Sequence, residues 1–207
     1  NKKNQEEINM KFMGYRRNDG KVGIRNYVLI LATSVCSNKL AEDISRAVEG
    51  STHINNTFGC CQLGGDARLT LKTIVNTGIH PNVGAVLVVG LGCEGAEPLE
   101  VYNEIKKTGK KVEMITIQGE GGTLKAFAKG VSISRKFAQE LSLEKKVECD
   151  ISELILGMEC GGSDTTSGLA SNPTCGVASD ILVGMGGTSI LSETTEFIGA
   201  EHVVARR

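Results

Sequence analysis

The run Tyr27–Val35 reads YVLILATSV, apolar almost without a break. A strand covered on one face alternates apolar and polar positions, whereas a strand covered on both faces reads as a continuous apolar run. Val83–Val89 has the same character, and Val112–Ile117 a shorter version of it. A further short strand is predicted at His53–Asn56. Between these runs the spacing becomes helical. Leu40, Ile44 and Val48 recur on one face of Asn38–Val48, and Asp66–Asn76 carries Leu69, Ile74 and Val75 before Gly78 closes it. Pro98–Lys107 and Thr123–Leu141 predict two more helices, the second entered through the turn QGEGG. Strands alternating with helices over short connections predict an α/β fold, a Rossmann-like, doubly wound, mostly parallel sheet.

The charged stretch SLEKKVECD breaks this rhythm and predicts an exposed hinge. A second start follows, with a strand at Leu154–Met158, a helix near Gly176–Met185, a strand at Thr188–Leu191 and a short helix from Thr194. Two strands are too few for an independent sheet, so this reads as the start of a second α/β unit or an addition to the first. The expected organisation is a flexible arm over 1–13, a Rossmann-like domain over 14–145, and a truncated second unit over 146–207.

Composition narrows the function. The 207 residues carry a formal net charge of -1, so electrostatics make no case for nucleic acid as a partner. No apolar run approaches the ~20 residues that cross a bilayer, and the polar start NKKNQEEINMKF is unlike an export signal. Seven cysteines without such a signal point to a reducing, cytoplasmic setting. Tryptophan is absent and aromatics are 4%, so Val, Ile, Leu and Ala must build the core.

The candidate chemistry sits where strands end. Cys36, Cys60, Cys93 and Cys160 all fall just beyond predicted strands, and three of them adjoin glycine in GCC, GCE and ECGG. Ligands of open α/β sheets bind at the carboxyl ends of strands, and thiols near helix starts are the more reactive and metal-avid ones. The plainer reading is small thiols filling tight turns. Cys60, Cys93 and Cys160 can hold an iron–sulfur cluster, or one thiol can join carboxylates around Fe(II). In LSETTEF, Glu193 and Glu196 can share a cleft, or serve only in a capping box. GGSD sets Ser163 and Asp164 to receive an anion, or forms an ordinary Asx turn. Arg16, Arg17 and Arg25 can clamp a carboxylate, or lie on a solvated hairpin. Of the histidines, His202 is the candidate ligand or base. QGEGGT is neither a P-loop nor a dinucleotide fingerprint.

Four long stretches carry a family resemblance: GYRRNDGKVGIRNYVLIL, HPNVGAVLVVGLGCE, GMECGGSDTTSGLASNP and GGTSILSETTEFIGAEHVVARR. From about Gly14 to Arg207 the chain resembles the large catalytic part of the altronate/galactarate dehydratase family, which includes the sulfolactate sulfo-lyase large subunit. The resemblance implies a hydro-lyase acting on a small-molecule sugar acid with iron, Fe2+ by preference, or another divalent metal. It implies Glu159, Asp164, Glu193, Glu196 and His202 as catalytic candidates. Arg16, Arg25, Asn26 and Ser163 become substrate contacts, and Cys60, Cys93, Glu94 and Cys160 metal ligands. A small β-rich domain found in fused members is expected here as a separate subunit, and a C-terminal domain is expected to be missing, leaving this fragment inactive alone. A homo-oligomer is the expected assembly. Two departures from the family pattern stand out. Asn56 occupies the position, four residues before Cys60, where a histidine is usual. Thr165 and Thr166 stand where a small residue and an aromatic are usual. The alternatives are sulfolactate desulfonation and a non-catalytic carboxylate- or metal-binding module.

Overall fold

The computed structural model describes residues 10–162 and 164–206. The chain divides into Gly14–Val147 and a smaller unit of Glu148–Arg207 with the residues up to Met13.

The larger unit opens with the second half of β1 (Lys11–Arg16), which pairs antiparallel with β2 (Val22–Gly23) in register Tyr15↔Gly23 and Arg16↔Val22. Then follow β3 (Tyr27–Ala32), α1 (Asn38–Arg46), β4 (Ser51–Ile54), α2 (Gly64–Gly78), β5 (Val83–Gly90), α3 (Pro98–Lys107), β6 (Lys111–Thr116) and α4 (Thr123–Ser142). β3 to β6 form one four-stranded parallel sheet in the order β4-β3-β5-β6. The continuous apolar runs have the predicted cause. Val28, Ile30, Ala85 and Leu87 face α1 and α4, where Ile44, Ala126 and Phe137 meet them. The alternate residues Leu29, Leu31, Val86 and Val88 face α2 and α3, meeting Ile74, Val101 and Ile105. β3 stops at Ala32 rather than at the predicted Val35, because Thr33 and Ser34 turn the chain and Val35–Ser37 winds into a 3₁₀ turn that leads to α1.

In the smaller unit, β7 (Val147–Asp150) lies where the charged stretch predicted a hinge. The sequence VECD alternates, with Cys149 buried and its neighbours exposed, so a one-faced strand was hidden by its charges. Lys11 pairs with Glu148, and the Ile151 N–H donates to the Met10 carbonyl at 3.1 Å. From Lys11 onward, therefore, the predicted arm is strand; residues 1–9 of it lie outside the described residues. β8 (Ile155–Met158) and β9 (Thr188–Leu191) pair in parallel, from Ile155↔Thr188 to Met158↔Leu191. Between them Ser167–Ser171 winds as π-helix into α5 (Asn172–Gly184). Pro173 has no N–H for the Leu169 carbonyl, and the wider winding accommodates that loss. A 3₁₀ turn at Thr194–Phe197 and α6 (Glu201–Val204) follow. Among the described residues no helix is long and apolar enough to cross a membrane.

Candidate functional site

In the larger unit the strand order reverses between β3 and β5, and crevices at such reversals receive ligands in open α/β sheets. Glu94 ties the crevice together. Its Oε1 accepts from Thr33 Oγ1 at 2.8 Å and from the Leu91 N–H at 2.7 Å. Its Oε2 accepts from the N–H groups of Gly92 and Cys93 at 2.5 and 2.9 Å. Burial pushes its pKa up, but the backbone donors and Thr33 outweigh that and hold it below the usual glutamate value. Glu94 thus anchors the loop through both of its oxygens.

The loop after β4 is fastened to the same edge. Asn56 Nδ2 donates to the Thr33 carbonyl at 2.9 Å, and its Oδ1 accepts from the Phe58 N–H at 3.0 Å. Asn38 exchanges two further hydrogen bonds with the Asn56 backbone, both 2.9 Å. Gly59 has φ +97° and is so close that an added Cβ would sit 2.1 Å from the Thr33 oxygen. The Gly59 carbonyl then accepts from the N–H groups of Gly95 and Ala96 at 2.9 and 3.1 Å, joining the loops that carry Cys60 and Cys93. Cys36, Cys60, Cys61 and Cys93 are exposed thiols along this edge. Cys61 has φ 59°, a left-handed conformation costing about 1–3 kcal/mol for a residue with a Cβ, and such strain concentrates at functional sites. Asn56→Ala is expected to cost about 1–2 kcal/mol in thermal or urea unfolding. It should also speed labelling of Cys60 and Cys61 by a thiol reagent; unchanged labelling would remove Asn56 from the role of loop fastener.

The arginines lie at the opposite, amino ends of the strands. Arg17 donates to the carbonyls of Pro81 and Arg25 and to Asn26 Oδ1 at 2.7, 3.0 and 2.9 Å. Asn26 Nδ2 donates to Glu144 at 3.0 Å and to the Leu141 carbonyl at 3.3 Å, so its side chain is used up in holding α4 to the start of β3. Arg16 lines a pocket of about 220 Å³ there with Arg17, Lys110 and Glu144, and Arg25 is exposed. Burial, and then Arg17, push the Lys110 pKa down to about 8.

The smaller unit has its own cleft, about 250 Å³, at the carboxyl ends of β8 and β9. Glu159, Cys160, Cys175, Ser192, Glu193 and Glu196 line it. Ser192 fixes the strand ends, its N–H and Oγ both donating to the Met158 carbonyl at 3.1 and 2.8 Å. The Cys160 N–H donates to Glu193 Oε2 at 3.3 Å. Glu193 has φ 57°, left-handed like Cys61, and these are the non-glycine residues with positive φ among the described residues. The Glu196 N–H donates to the Glu193 carbonyl at 2.9 Å, so one tight turn brings both carboxylates to the cleft. Three carboxylates and two thiols converge at one strand-end cleft, an arrangement suited to moving protons.

Other expected residues lie elsewhere. Asp164 accepts from Thr166 Oγ1 and the Ser167 N–H at 2.6 and 2.8 Å, and these bonds hold its pKa below the usual value. It caps the helical segment, the plainer of its two expected readings. His202 is exposed on α6, outside the cleft lining. Ser163 lies outside the described residues. Cys175 was not anticipated, because the helix was expected from Gly176; Pro173 as an early-helix residue was the signal that would have started it sooner. Thr33, the partner of Glu94, had no signal beyond its place after a strand.

Thiols and carboxylates are the right donor types for iron. They are not gathered as a set: among the described residues no three His, Cys, Asp or Glu side chains are placed to hold one ion. Cys60, Cys93 and Glu94 belong to the larger unit and Cys160 to the smaller.

Two family profiles match the chain. One described as D-galactarate dehydratase/Altronate hydrolase, second domain, matches residues 14–142. One described as D-galactarate/Altronate dehydratase, C-terminal, matches residues 151–207. A protein of Chromohalobacter salexigens named (2R)-sulfolactate sulfo-lyase subunit beta is 40% identical over 95% of this chain and 50% of its own length. Altronate dehydratase of Bacillus subtilis is 33% identical over 96% of this chain and 42% of its own length. Galactarate dehydratase (L-threo-forming) of Escherichia coli is 32% identical over 95% and 41%. The chain spans half or less of the length of these curated relatives.

Proposed function

The chain belongs to the D-galactarate dehydratase/altronate hydrolase family, and from that premise we propose that it serves a hydro-lyase removing water from a sugar acid such as altronate or galactarate. The observation that carries this reading is the convergence of Glu159, Glu193 and Glu196 with Cys160 and Cys175 in the strand-end cleft. In a β-elimination a base takes the proton α to the carboxylate and the C–H electron pair becomes the C=C bond. The β C–O bond breaks as its oxygen gains a proton and leaves as water. The enol then tautomerises to a 2-keto acid. Glu193 is the proposed base. Glu196 or Glu159 is the proposed acid, since neighbouring carboxylates divide these roles readily.

Elimination of sulfite from sulfolactate is the second reading, favoured by the 40% identity to a sulfo-lyase subunit. The bond changes are the same apart from the leaving group. A subunit of another type as partner belongs with this reading. The strand reversal and the two helical layers support a Rossmann-like description of the larger unit. Seven thiols without a disulfide support a cytoplasmic setting.

Iron is proposed on donor chemistry alone, thiolates and carboxylates being donor types that suit it, and no step is derived through it. Anaerobic purification with iron and acid-labile sulfide analysis tests this. The expected result is bound iron that falls at least about tenfold in Cys160→Ser; equal, negligible iron in both proteins removes the metal from the proposal. The function itself is tested by incubating the chain, alone and with the portion of a relative that it does not span, with altronate, galactarate and sulfolactate. Formation of 2-keto acid from altronate or galactarate supports the hydro-lyase, and 2-keto acid with an equivalent of sulfite from sulfolactate supports the second reading. No turnover with ligand still bound would leave a carboxylate-binding module.

A further inference from the structure

We propose that the pocket at the amino ends of the larger unit's strands binds a phosphate group, inorganic or carried by a small molecule. Arg16, Arg17, Lys110 and Lys111 line it, with Asp19 and Glu144. Lys110 is half-buried, and none of the ion pairs among the described residues includes it. Its ammonium donates to the carbonyls of His80 and Val83 at 2.8 and 2.7 Å, which leaves one of its three N–H groups unspent. The two carboxylates are divided among other partners. Asp19 stands 3.6 Å from the Lys21 ammonium and accepts from the Lys21 N–H at 3.2 Å. Glu144 accepts from Asn26 at 3.0 Å and is 3.7 Å from both Arg17 and Lys111. Buried charges are ordinarily paired, and this cation lacks its counter-charge. Two groups register the unrelieved positive field. Burial, then Arg17, lowers the Lys110 pKa to about 8 although Asp19 acts the other way. Burial, then Lys110 and Lys21, lowers that of His80.

The walls of the pocket are fastened to one another. Asn18 Nδ2 donates to the Gly109 carbonyl at 3.2 Å, joining the turn after β1 to the turn before β6. The Arg17 N–H donates to the Lys21 carbonyl at 2.8 Å and closes the first of these turns. At about 220 Å³ the pocket is smaller than those that enclose drug-sized ligands, and it suits a compact one. A carboxylate is best selected by an arginine fork with two parallel N–H groups. Both guanidinium groups here are already engaged. Arg17 gives Nε, Nη1 and Nη2 to the Pro81 carbonyl, Asn26 Oδ1 and the Arg25 carbonyl, and Arg16 gives Nη1 to the Gly20 carbonyl. The pocket therefore offers point charges from separate segments around a small volume, which serve a tetrahedral oxyanion. It belongs to the larger unit, at the strand ends opposite the crevice held by Glu94, so it stands or falls separately from the chemistry proposed for the smaller unit's cleft.

Lys110 reports its own occupancy. Amine reagents acylate only neutral lysine, and near pH ~8 much of Lys110 is neutral. A phosphate dianion that makes its proton about tenfold harder to remove lowers the neutral fraction about fivefold. The test is the acetylation rate of each lysine of the 207-residue chain, read by peptide mass spectrometry. It is measured with inorganic phosphate, with ribose 5-phosphate, with galactarate, and with sodium chloride at matched ionic strength. Phosphate should slow Lys110 saturably, by at least about fivefold, and leave Lys129, which pairs with Glu120 outside the pocket, unchanged. A tighter effect of the ester assigns the phosphate group of a small molecule; an equal or weaker one assigns inorganic phosphate. Arg16→Gln and Lys111→Gln, both at exposed positions, should each raise the half-saturating concentration at least about threefold. Four outcomes would overturn the proposal. Slowing matched by chloride would reduce the effect to screening. Slowing by galactarate alone would make this a carboxylate site. The others are no slowing by either phosphate, and half-saturation unchanged in both variants.

Discussion

Replacing Glu94 by alanine is expected to destabilise the larger unit by about 2–4 kcal/mol, since each buried donor left without a partner costs about 1–3 kcal/mol. The Leu91 N–H loses its acceptor and Thr33 Oγ1 is left with only the longer bond to the Val89 carbonyl at 3.3 Å, while Gly92 and Cys93 are exposed enough for water to replace part of theirs. Glutamine should recover only part of the loss. Both oxygens of Glu94 face backbone N–H donors, so the amide nitrogen meets a donor in either orientation. Urea unfolding of the three proteins checks this; a loss below about 0.5 kcal/mol in the alanine variant would show that solvent substitutes for the carboxylate. The same anchor sets a pH dependence. The folded-state pKa of Glu94 lies below the ordinary 4.5, so its contribution is complete above that value. It is lost as the pH falls from there through the depressed folded value. Wild type should therefore lose its advantage over Glu94→Gln on acidification and keep it from pH ~5 to neutrality.

On the proposed role of Glu193 as base, Glu193→Gln is expected to lower kcat by about 10²–10⁴ with little change in KM, the usual consequence of removing such a group. Glutamine keeps an oxygen for the Cys160 N–H, so the turn at the end of β9 survives, but the amide cannot take a proton. Glu193→Gly separates structure from chemistry. At φ 57° glycine relieves the left-handed strain, so this variant should be no less stable than wild type while equally inactive. Stability lost in step with activity would make Glu193 a fold residue. Activity kept within about tenfold in the glutamine variant would pass the role to Glu196 or Glu159.

Much of the fold was legible along the chain, for a definite reason. β3 and β5 are buried on both faces, and that condition writes itself as uninterrupted apolar runs. α3 lies where its proline and apolar spacing put it, because a helix start and a helical stripe are local properties. β7 escaped because a strand buried on one face shows only alternation, and there charged residues took the exposed positions around Cys149. The site divides the same way. That thiols and acids would stand at strand ends follows from the order of elements in a parallel sheet. Which of them are committed was decided by contacts between segments far apart in sequence. Glu94 became an anchor because Thr33, 61 residues away, and the loop's own N–H groups reached it first. Asn26 was taken up by Arg17 and by α4, and Cys175 entered the cleft when the helix began before it. The sequence by itself determined the α/β alternation and the residue types available for proton transfer, because each depends on neighbours along the chain. Only the tertiary structure decided which carboxylates remain available, because a hydrogen-bond acceptor is used up by whichever donors folding brings within reach.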